Sequence, residues 1–358
     1  MNATAPTAET LRDTLAGLLA GLPPTQTAQA VDRLIANYRG TTPTDAPVLR
    51  DRADVAAYAA YRMPATYEAV RSALDALRDA VPGWAPVTHT DIGGGTGAAS
   101  WAVAEAWAER PPSTTVLDWA EPALALGREL ARASGVPSLG AVEWQRSRIG
   151  AALRIESSDL VTVSYVLKEL TEADRDVVVA EAARAARAVV IVEPGTPDGY
   201  ERIIRARDAL VAAGMTVAAP CPHSAACPIV PGSDWCHFAA RVSRSSLHRQ
   251  IKGGSLAYED EKFSYVAAVR DGGGDGEGGG GAGGGGDAEV PVPVAPAPAR
   301  VVRRPQIRKG MVLLDLCTEA EGLRRETVTK RHGPLYRAAR DTAWGEAWPP
   351  EAEGAGDA

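Results

Sequence analysis

Residues 88–97, THTDIGGGTG, place four glycines directly after a short strand pattern, and AASWAVAEAWAER (98–110) follows as a helical pattern. A strand, a glycine-rich turn and a helix in this order form the first half of a βαβ unit. Glycine allows the backbone to turn tightly and to approach a ligand, because no Cβ stands in the way. This stretch therefore predicts a ligand-binding turn at the carboxyl end of a parallel strand.

Strands and helices continue to alternate after this turn. The further strand patterns are TTVLDWA (114–120), AVEWQRS (141–147), SDLVTVS (158–164) and AVVIVEPG (188–195). Helical segments separate them, which predicts parallel βαβ units in an α/β fold with a doubly wound, Rossmann-like sheet. Two later runs, WCHFAARVS (235–243) and KFSYVAAVR (262–270), predict an antiparallel pair that closes the sheet edge.

The glycine turn also carries a cofactor signature. The pattern D-x-G-x-G-x-G, typical of S-adenosylmethionine-dependent methyltransferases, is matched by Asp91, Gly93, Gly95 and Gly97. Asp118 ends the second strand, where an acid accepts hydrogen bonds from ribose hydroxyls. Gly93, Gly95 and Ala98 also fit the dinucleotide pattern G-x-G-x-x-G/A, so a nicotinamide enzyme stays an alternative. The acidic end of the first strand and the antiparallel closing strands favour the methyltransferase.

No catalytic residue stands out from the sequence. The fourth strand runs into Ser164-Tyr165, where many methyltransferases place catalytic groups, but no Asn/Asp-Pro-Pro-Tyr motif is present. Glu193 ends the fifth strand and either faces the ligand crevice or caps the following helix, and we favour the cap.

Cysteine is rare in this chain and clustered. Three of the four cysteines lie in CPHSAACPIVPGSDWC (221–236), and 80 residues separate the last of these from the fourth; the set is Cys221, Cys227, Cys236 and Cys317. Clustered thiolates are soft ligands that suit an iron–sulfur cluster or zinc, and the spacing does not separate the two. His223 and His237 flank the cysteines, and we expect them to support the site rather than to bind metal.

Composition divides the chain into four parts. We expect a helical region at 1–80, a methyltransferase domain at 81–270 that includes the cysteine loop 221–236, a flexible linker at 271–299 and a basic segment at 300–350 with the fourth cysteine. Twelve of the 36 glycines fall in the linker, and such a tract cannot form a packed core. From Arg300 to Arg340, eleven Lys and Arg stand against four acids, which suits phosphate binding.

The overall charge and hydropathy narrow the functional classes. A net charge of −7 argues against a generally basic nucleic-acid coat, and no DNA partner is expected. No apolar run reaches membrane-spanning length, so no membrane partner is expected. The N-terminal residues do not resemble a signal or transit peptide, from which we expect a cytoplasmic location.

Several stretches resemble a known family, the methyltransferase-like proteins of the small ribosomal subunit found in mitochondria and bacteria. They are YAAYRMPATYEAV, DIGGGTGAASWA, DLVTVSYVLKEL, VVIVEPGTPDGYERIIRARDAL, CPHSAACPI, DWCHFAARVSRSSLHRQIKGG, EDEKFSYVAAVR, LLDLCT and YRAARDTAWG. The resemblance covers roughly residues 55–348 without the glycine linker. It implies a Rossmann-like methyltransferase domain that accompanies small-subunit assembly and binds its rRNA, and a [4Fe–4S] cluster on the four cysteines.

The sequence thus favours a methyltransferase-like small-subunit assembly factor that holds S-adenosylmethionine and a [4Fe–4S] cluster and contacts rRNA. A catalytically active rRNA methyltransferase is the first alternative. A metal-stapled NAD-dependent oxidoreductase is the second.

Overall fold

The computed structural model describes residues 7–19, 52–230, 232–244, 257–270 and 298–350. The helices are α1 (Ala8–Leu19), α2 (Arg52–Tyr61), α3 (Met63–Ala80), α4 (Ala98–Ala106), α5 (Glu121–Ala133), α6 (Pro137–Gly140), α7 (Glu172–Ala185), α8 (Pro197–Ala212) and α9 (Pro334–Asp341), with 3-10 turns at Leu167–Glu169 and Lys330–His332. The strands are β1 (Thr88–Ile92), β2 (Ser113–Asp118), β3 (Glu143–Arg146), β4 (Ser158–Ser164), β5 (Ala186–Pro194), β6 (Thr216–Ala219), β7 (Phe238–Ser243), β8 (Tyr258–Val269), β9 (Ala299–Val301), β10 (Gln306–Arg308), β11 (Met311–Thr318), β12 (Gly322–Thr329) and β13 (Ala347–Trp348). The stretch TAQAVDRLIANYRG (27–40), which shows helical spacing within the predicted helical region, and most of the predicted linker, 271–297, lie outside the described residues.

The larger sheet has the strand order β3-β2-β1-β4-β5-β8-β6, and β7 pairs with β8. Strands β1 to β5 are parallel, whereas β8 is antiparallel to both β5 and β6. A dinucleotide-binding sheet is parallel throughout, with the order 3-2-1-4-5-6. One antiparallel strand inserted beside the last position gives instead the Rossmann-like fold of class I methyltransferases, as the sequence predicts.

Two details of this sheet differ from the sequence prediction. The antiparallel strand β8 is not at the edge, because β6, which the sequence patterns miss, pairs on its far side. The burial of β8 agrees with this interior position. Phe263 to Val269 are all buried, as expected for a strand that is covered on both faces. In the half that pairs with β7, exposed and half-buried side chains alternate. Strand β6 is only four residues long, too short to show a period.

Helix α3 joins the N-terminal helices to the sheet. Pro64 lies in its first turn, where proline is tolerated because the missing N–H needs no partner there. Met63, Tyr67 and Leu74 are buried in one core with Trp101 of α4. No helix among the described residues is both long and apolar enough to cross a membrane.

The C-terminal residues form a second, antiparallel sheet. Its order is β10-β11-β9-β13, with β12 paired to β11, and its core includes Val301, Leu314, Leu316 and Trp348 under α9. The sequence predicts only the strand that carries Cys317. The other strands are missed because they are two or three residues long or, like β12, alternate half-buried and exposed side chains with several charges.

Candidate functional site

The glycine loop folds back over the end of β2. The backbone N–H groups of Gly93 and Gly94 both donate to the Leu117 carbonyl, at 2.7 and 3.2 Å. Gly97 closes a turn onto the Gly94 carbonyl at 2.7 Å and begins α4 with a φ of 85°. The loop therefore presents the unpaired N–H groups at the start of α4 towards the carboxyl ends of the strands.

The glycines of this loop differ in how much space surrounds them. A Cβ on Gly93 would overlap the Val166 side chain, and one on Gly97 would come within 2.6 Å of the Trp144 ring. A Cβ on Gly95 would meet only Asp118 Oδ2, at 3.8 Å. The loop is thus packed against its neighbours except at Gly95, which borders open space beside Asp118.

Asp118 is held by the loop that it faces. Its Oδ2 accepts the Gly95 N–H at 2.9 Å and its Oδ1 accepts the Ala120 N–H at 2.7 Å. Burial raises the pKa of Asp118, and these backbone donors oppose the rise. Each carboxylate oxygen keeps a lone pair for a further donor, such as a ribose hydroxyl.

Asp91 lies beneath the loop and is fully buried. Its Oδ1 accepts the Thr162 hydroxyl at 2.8 Å, and its Oδ2 has no partner among the described residues. Burial raises the pKa of Asp91 to about 7, the Thr162 hydrogen bond lowers it, and the charge of Asp118 raises it. Thr96 Oγ1, Ser100 Oγ and Ser164 Oγ are likewise buried without a partner there, so the site offers several unused polar atoms.

A histidine that the sequence analysis does not single out supports Asp91. The His89 ring lies between the Thr114 and Thr162 hydroxyls, with nitrogen–oxygen distances of 3.2 and 2.9 Å. Burial lowers the pKa of His89 to about 3, so the ring is neutral. Because Thr162 donates its only hydrogen to Asp91, His89 Nε2 must carry the hydrogen that Thr162 accepts.

The raised pKa of Asp91 predicts a pH dependence that Asp91→Asn removes. From about pH 4 to 7 the folded chain keeps a proton that the unfolded chain releases, so the free energy of unfolding falls as pH rises. The fall amounts to a few kcal/mol, at about 1.4 kcal/mol per pKa unit. Urea unfolding of both proteins at pH 5 and pH 8 measures it. Equal pH dependence in wild type and Asp91→Asn would contradict the assignment.

Three side chains form a hydrogen-bonded clasp at the end of β4. Tyr165 follows β4 and is the one non-glycine residue with positive φ, 61°, among the described residues. Its hydroxyl donates to Glu261 Oε1 at 3.0 Å, and Arg62 donates to both Glu261 oxygens at 2.8 and 3.2 Å. The Arg62 guanidinium also lies 5.2 Å from the centre of the Tyr165 ring. The clasp therefore links the end of β4 to β8 and to Arg62, the residue that precedes α3.

Glu193 is an ion-pair partner rather than a helix cap. It is buried, its Oε2 lies 2.6 Å from Arg202 Nε, and its Oε1 accepts the Leu167 N–H at 3.1 Å. The cap of α8 is Thr196, whose hydroxyl accepts the Gly199 N–H. The preference for a Glu193 cap is therefore wrong, and the residue joins β5 to α8 instead.

All four cysteines line one cavity, which holds about 530 Å³ of empty space including its opening to solvent. Three come from the loop between β6 and β7, and Cys317 comes from β11. Burial raises the pKa of Cys221, Cys236 and Cys317, so these thiols are neutral without a ligand. No three His, Cys, Asp or Glu side chains of the described residues lie close enough to hold a single metal ion, and the four-cysteine metal site stays a prediction.

Arginines fasten the C-terminal sheet to the cysteine loop. Arg300 Nε donates to the Pro220 carbonyl at 2.9 Å, and Arg303 Nη2 donates to the Trp235 carbonyl at 3.1 Å. Arg303 Nη2 also lies 2.5 Å from an Asp234 oxygen. The contact therefore reaches the loop just before Cys221 and again just before Cys236.

Both histidines of the loop contact residues of the C-terminal segment. His223 is buried, and its Nε2 lies 3.7 Å from Cys317 Sγ. The His237 ring stacks on Trp235, with centroids 5.5 Å apart, and meets the edge of Trp344 at 5.0 Å. Both rings therefore pack where the loop meets the C-terminal sheet.

A comparison with protein families decides the assignment. The family model described as mitochondrial small ribosomal subunit Rsm22 matches residues 52–349. The chain belongs to the Rsm22 family. The match includes the glycine loop, the cysteine loop and β11.

Curated relatives of this Rsm22-family chain come from human and fission yeast. It is 28% identical over 309 residues to the human mitochondrial ribosome assembly protein METTL17, covering 82% of this chain and 62% of the relative. It is 28% identical over 184 residues to the mitochondrial Rsm22-cox11 tandem protein 2 of Schizosaccharomyces pombe, covering 46% of this chain and 24% of the relative. The chain thus spans less than two thirds of either relative.

These relatives correct one prediction. A cytoplasmic location was expected from the N-terminal residues, but the family model and both relatives are mitochondrial. The expectation is wrong, because the apparent lack of a targeting pattern in one sequence is weak evidence of location.

Two of the solved structures similar to this Rsm22-family chain are methyltransferases. The precorrin-6y C5,15-methyltransferase of Geobacter metallireducens has a TM-score of 0.36 and 12% identity, with 56% of this chain and 86% of that chain covered. The glycopeptide N-methyltransferase MtfA has a TM-score of 0.36 and 11% identity, with 56% and 90% covered. The strand order described above carries the fold assignment.

Proposed function

We propose that this Rsm22-family chain is an assembly factor of the small ribosomal subunit that binds S-adenosylmethionine and a [4Fe–4S] cluster and contacts small-subunit rRNA. The observation that carries the proposal is the cysteine cavity. Thiols from two parts of the chain that lie far apart in sequence meet where the methyltransferase sheet adjoins the C-terminal sheet. A group bound by all four would hold the two sheets together.

The chemistry of the cavity fits an anionic iron–sulfur cluster. Its ligands would be Cys221, Cys227, Cys236 and Cys317, and the cluster would supply four iron–thiolate bonds that cross-link the loop to β11. Arg207 lines the same cavity and is 1% exposed, and its Nε has no hydrogen-bond partner among the described residues. A buried cation with an unused donor suits a negatively charged neighbour.

Metal analysis tests the cluster directly. Full-length protein purified without oxygen is expected to contain about four irons and four acid-labile sulfides per chain. One zinc without sulfide would keep the four-cysteine site but remove the iron–sulfur cluster. Protein that contains neither iron nor zinc would overturn the cluster, and methyl transfer would then become the leading function.

The glycine loop fits S-adenosylmethionine. Asp118 would accept the ribose hydroxyls, and Gly95 would let the cofactor approach the backbone. The unpaired Asp91 Oδ2 lies below the loop, where a polar or positively charged cofactor group would compensate its burial. Strand order favours this cofactor over a nicotinamide dinucleotide.

A basic patch at the far end of the C-terminal sheet suits rRNA phosphates. Lys309 in the β10–β11 turn lies next to the 3-10 turn, since Lys330 N–H donates to the Gly310 carbonyl at 3.2 Å. The patch consists of the exposed residues Lys309, Lys330, Arg331, Arg337 and Arg340. By contrast, Arg241 and Arg244, which follow the cysteine loop, form ion pairs with Asp260 and Glu259.

Removing charge from the patch is expected to weaken rRNA binding. The triple change of Lys330, Arg331 and Arg337 to Gln should lower the slope of log affinity against log salt by about three, because each phosphate contact contributes about one. The control changes Arg110, Arg132 and Arg148, three exposed arginines of the methyltransferase domain, to Gln. Filter binding of small-subunit rRNA at several salt concentrations measures this slope for both variants. An equal decrease of the slope in the control variant would refute a specific patch.

Methyl transfer to rRNA is the second candidate, favoured by the complete glycine loop. Transfer of labelled methyl groups to small-subunit rRNA or assembly intermediates would establish the activity, and its absence from both would exclude it.

A further inference from the structure

Helix α8 forms one wall of the cysteine cavity. Tyr200, Ile203, Ile204 and Arg207 all line it, and their spacing of three and four residues places them on one helix face. The Thr196 cap and the buried Glu193–Arg202 pair fix the start of this helix. The side chains of this face are therefore held in place by the methyltransferase fold.

One of these side chains touches a cysteine. The Tyr200 hydroxyl lies 3.1 Å from Cys227 Sγ, and the residue is 4% exposed. A thiolate that binds iron carries no proton, so in the loaded protein the hydroxyl must be the donor.

Hydrogen bonds to cysteine sulfur are one of the means by which proteins set the potential of an iron–sulfur cluster. Reduction adds negative charge to the cluster and its ligands, so a donor stabilises the reduced state more than the oxidised state. Removing the donor therefore lowers the reduction potential.

We propose that Tyr200 is a positioning residue that raises the reduction potential of the cluster through its hydrogen bond to Cys227. The proposal rests on the proposed function, since it requires the cluster. Helix α8 of the methyltransferase fold thus controls the redox state of the cluster that joins the cysteine loop to β11.

Tyr200→Phe tests the bond, and Tyr265→Phe is its matched control. Tyr265 lines the same cavity and is also buried, but among the described residues its hydroxyl makes no hydrogen bond to a sulfur. Both full-length variants, purified without oxygen, are titrated with dithionite and followed by electron paramagnetic resonance. At the wild-type midpoint, the ratio of reduced to oxidised cluster should fall about fivefold in Tyr200→Phe, equivalent to about 1 kcal/mol of hydrogen-bond energy, and stay unchanged in Tyr265→Phe.

The outcomes separate this proposal from the proposed function. If Tyr200→Phe keeps its full iron and sulfide and its reduction potential is unchanged, only the proposed role of the hydrogen bond is overturned. The same holds if Tyr265→Phe shifts the reduction potential as much as Tyr200→Phe does. Wild-type protein without iron and sulfide would overturn the cluster and this proposal with it. If Tyr200→Phe does not fold, the iron–sulfur stretching bands of wild-type protein decide: they should shift in D₂O, and an absence of shift would refute the bond.

Discussion

Cys227→Ser is expected to remove the iron–sulfur cluster and to loosen the C-terminal sheet from the cysteine loop. A serine hydroxyl is a poor ligand for iron, and three thiolates leave a cubane one bond short. Because metal-binding energy is folding energy for the region that the metal joins, the sheet would then depend on contacts such as Arg300 to Pro220 and Arg303 to Trp235.

Metal analysis and limited proteolysis measure this effect. Iron should fall from about four per chain to well below one, and cleavage within residues 298–350 should become at least about tenfold faster. Ser233→Ala, a small change at an exposed position of the same loop, is the control and should leave both unchanged. Cys227→Ser protein with wild-type iron and protease resistance would refute the four-cysteine site.

Gly95→Ala is expected to abolish tight binding of S-adenosylmethionine while leaving the fold intact, and Gly93→Ala is expected to damage the fold. Both glycines have positive φ, 54° and 69°, so both variants bear a backbone cost of about 1–2 kcal/mol. They differ in what the new methyl group meets. At Gly93 it overlaps Val166, whereas at Gly95 it enters the open space beside Asp118, where the cofactor would approach.

Calorimetric titration with S-adenosylmethionine and urea unfolding separate the two effects. Gly95→Ala should lose at least about thirtyfold in affinity, equivalent to about 2 kcal/mol, with unfolding free energy within about 2 kcal/mol of wild type. Gly93→Ala should lose clearly more stability. Wild-type affinity in Gly95→Ala would mean that the cofactor does not approach this glycine.

The sequence predicts those parts of the fold that local patterns encode. Glycines between a strand and a helix, and apolar runs between helices, give β1 to β5 and the cofactor loop. Strand β6 and the short strands of the C-terminal sheet escape because they are too short or too charged to show a period. The place of β8 is also hidden, since an antiparallel strand reads alike at an edge and in the interior.

In the candidate site, too, some features could be predicted from the sequence and others could not. Because cysteine is rare in this chain, the sequence groups the four cysteines as one site. Their proximity in space depends on how β11 packs against the cysteine loop, and the spacing of residues in the sequence does not predict that packing. Tyr200 and Arg207 lie on a helix face whose spacing is equally typical of ordinary core packing. The Arg62–Glu261 pair joins residues 199 apart in sequence, and charges at that separation carry no sign of their pairing.

The position of β8 orders events during synthesis of the chain. Strand β6 pairs only with β8 in the described sheet, so it has no neighbour until the ribosome has made residues up to Val269. The cysteine loop directly follows β6 and stays unplaced for as long, and Cys317 emerges later still. Long-range strand pairing of this kind is slow. On the proposed function, cluster insertion is therefore a late, post-translational step, and a nascent chain that stalls before residue 317 exposes three thiols to oxidation.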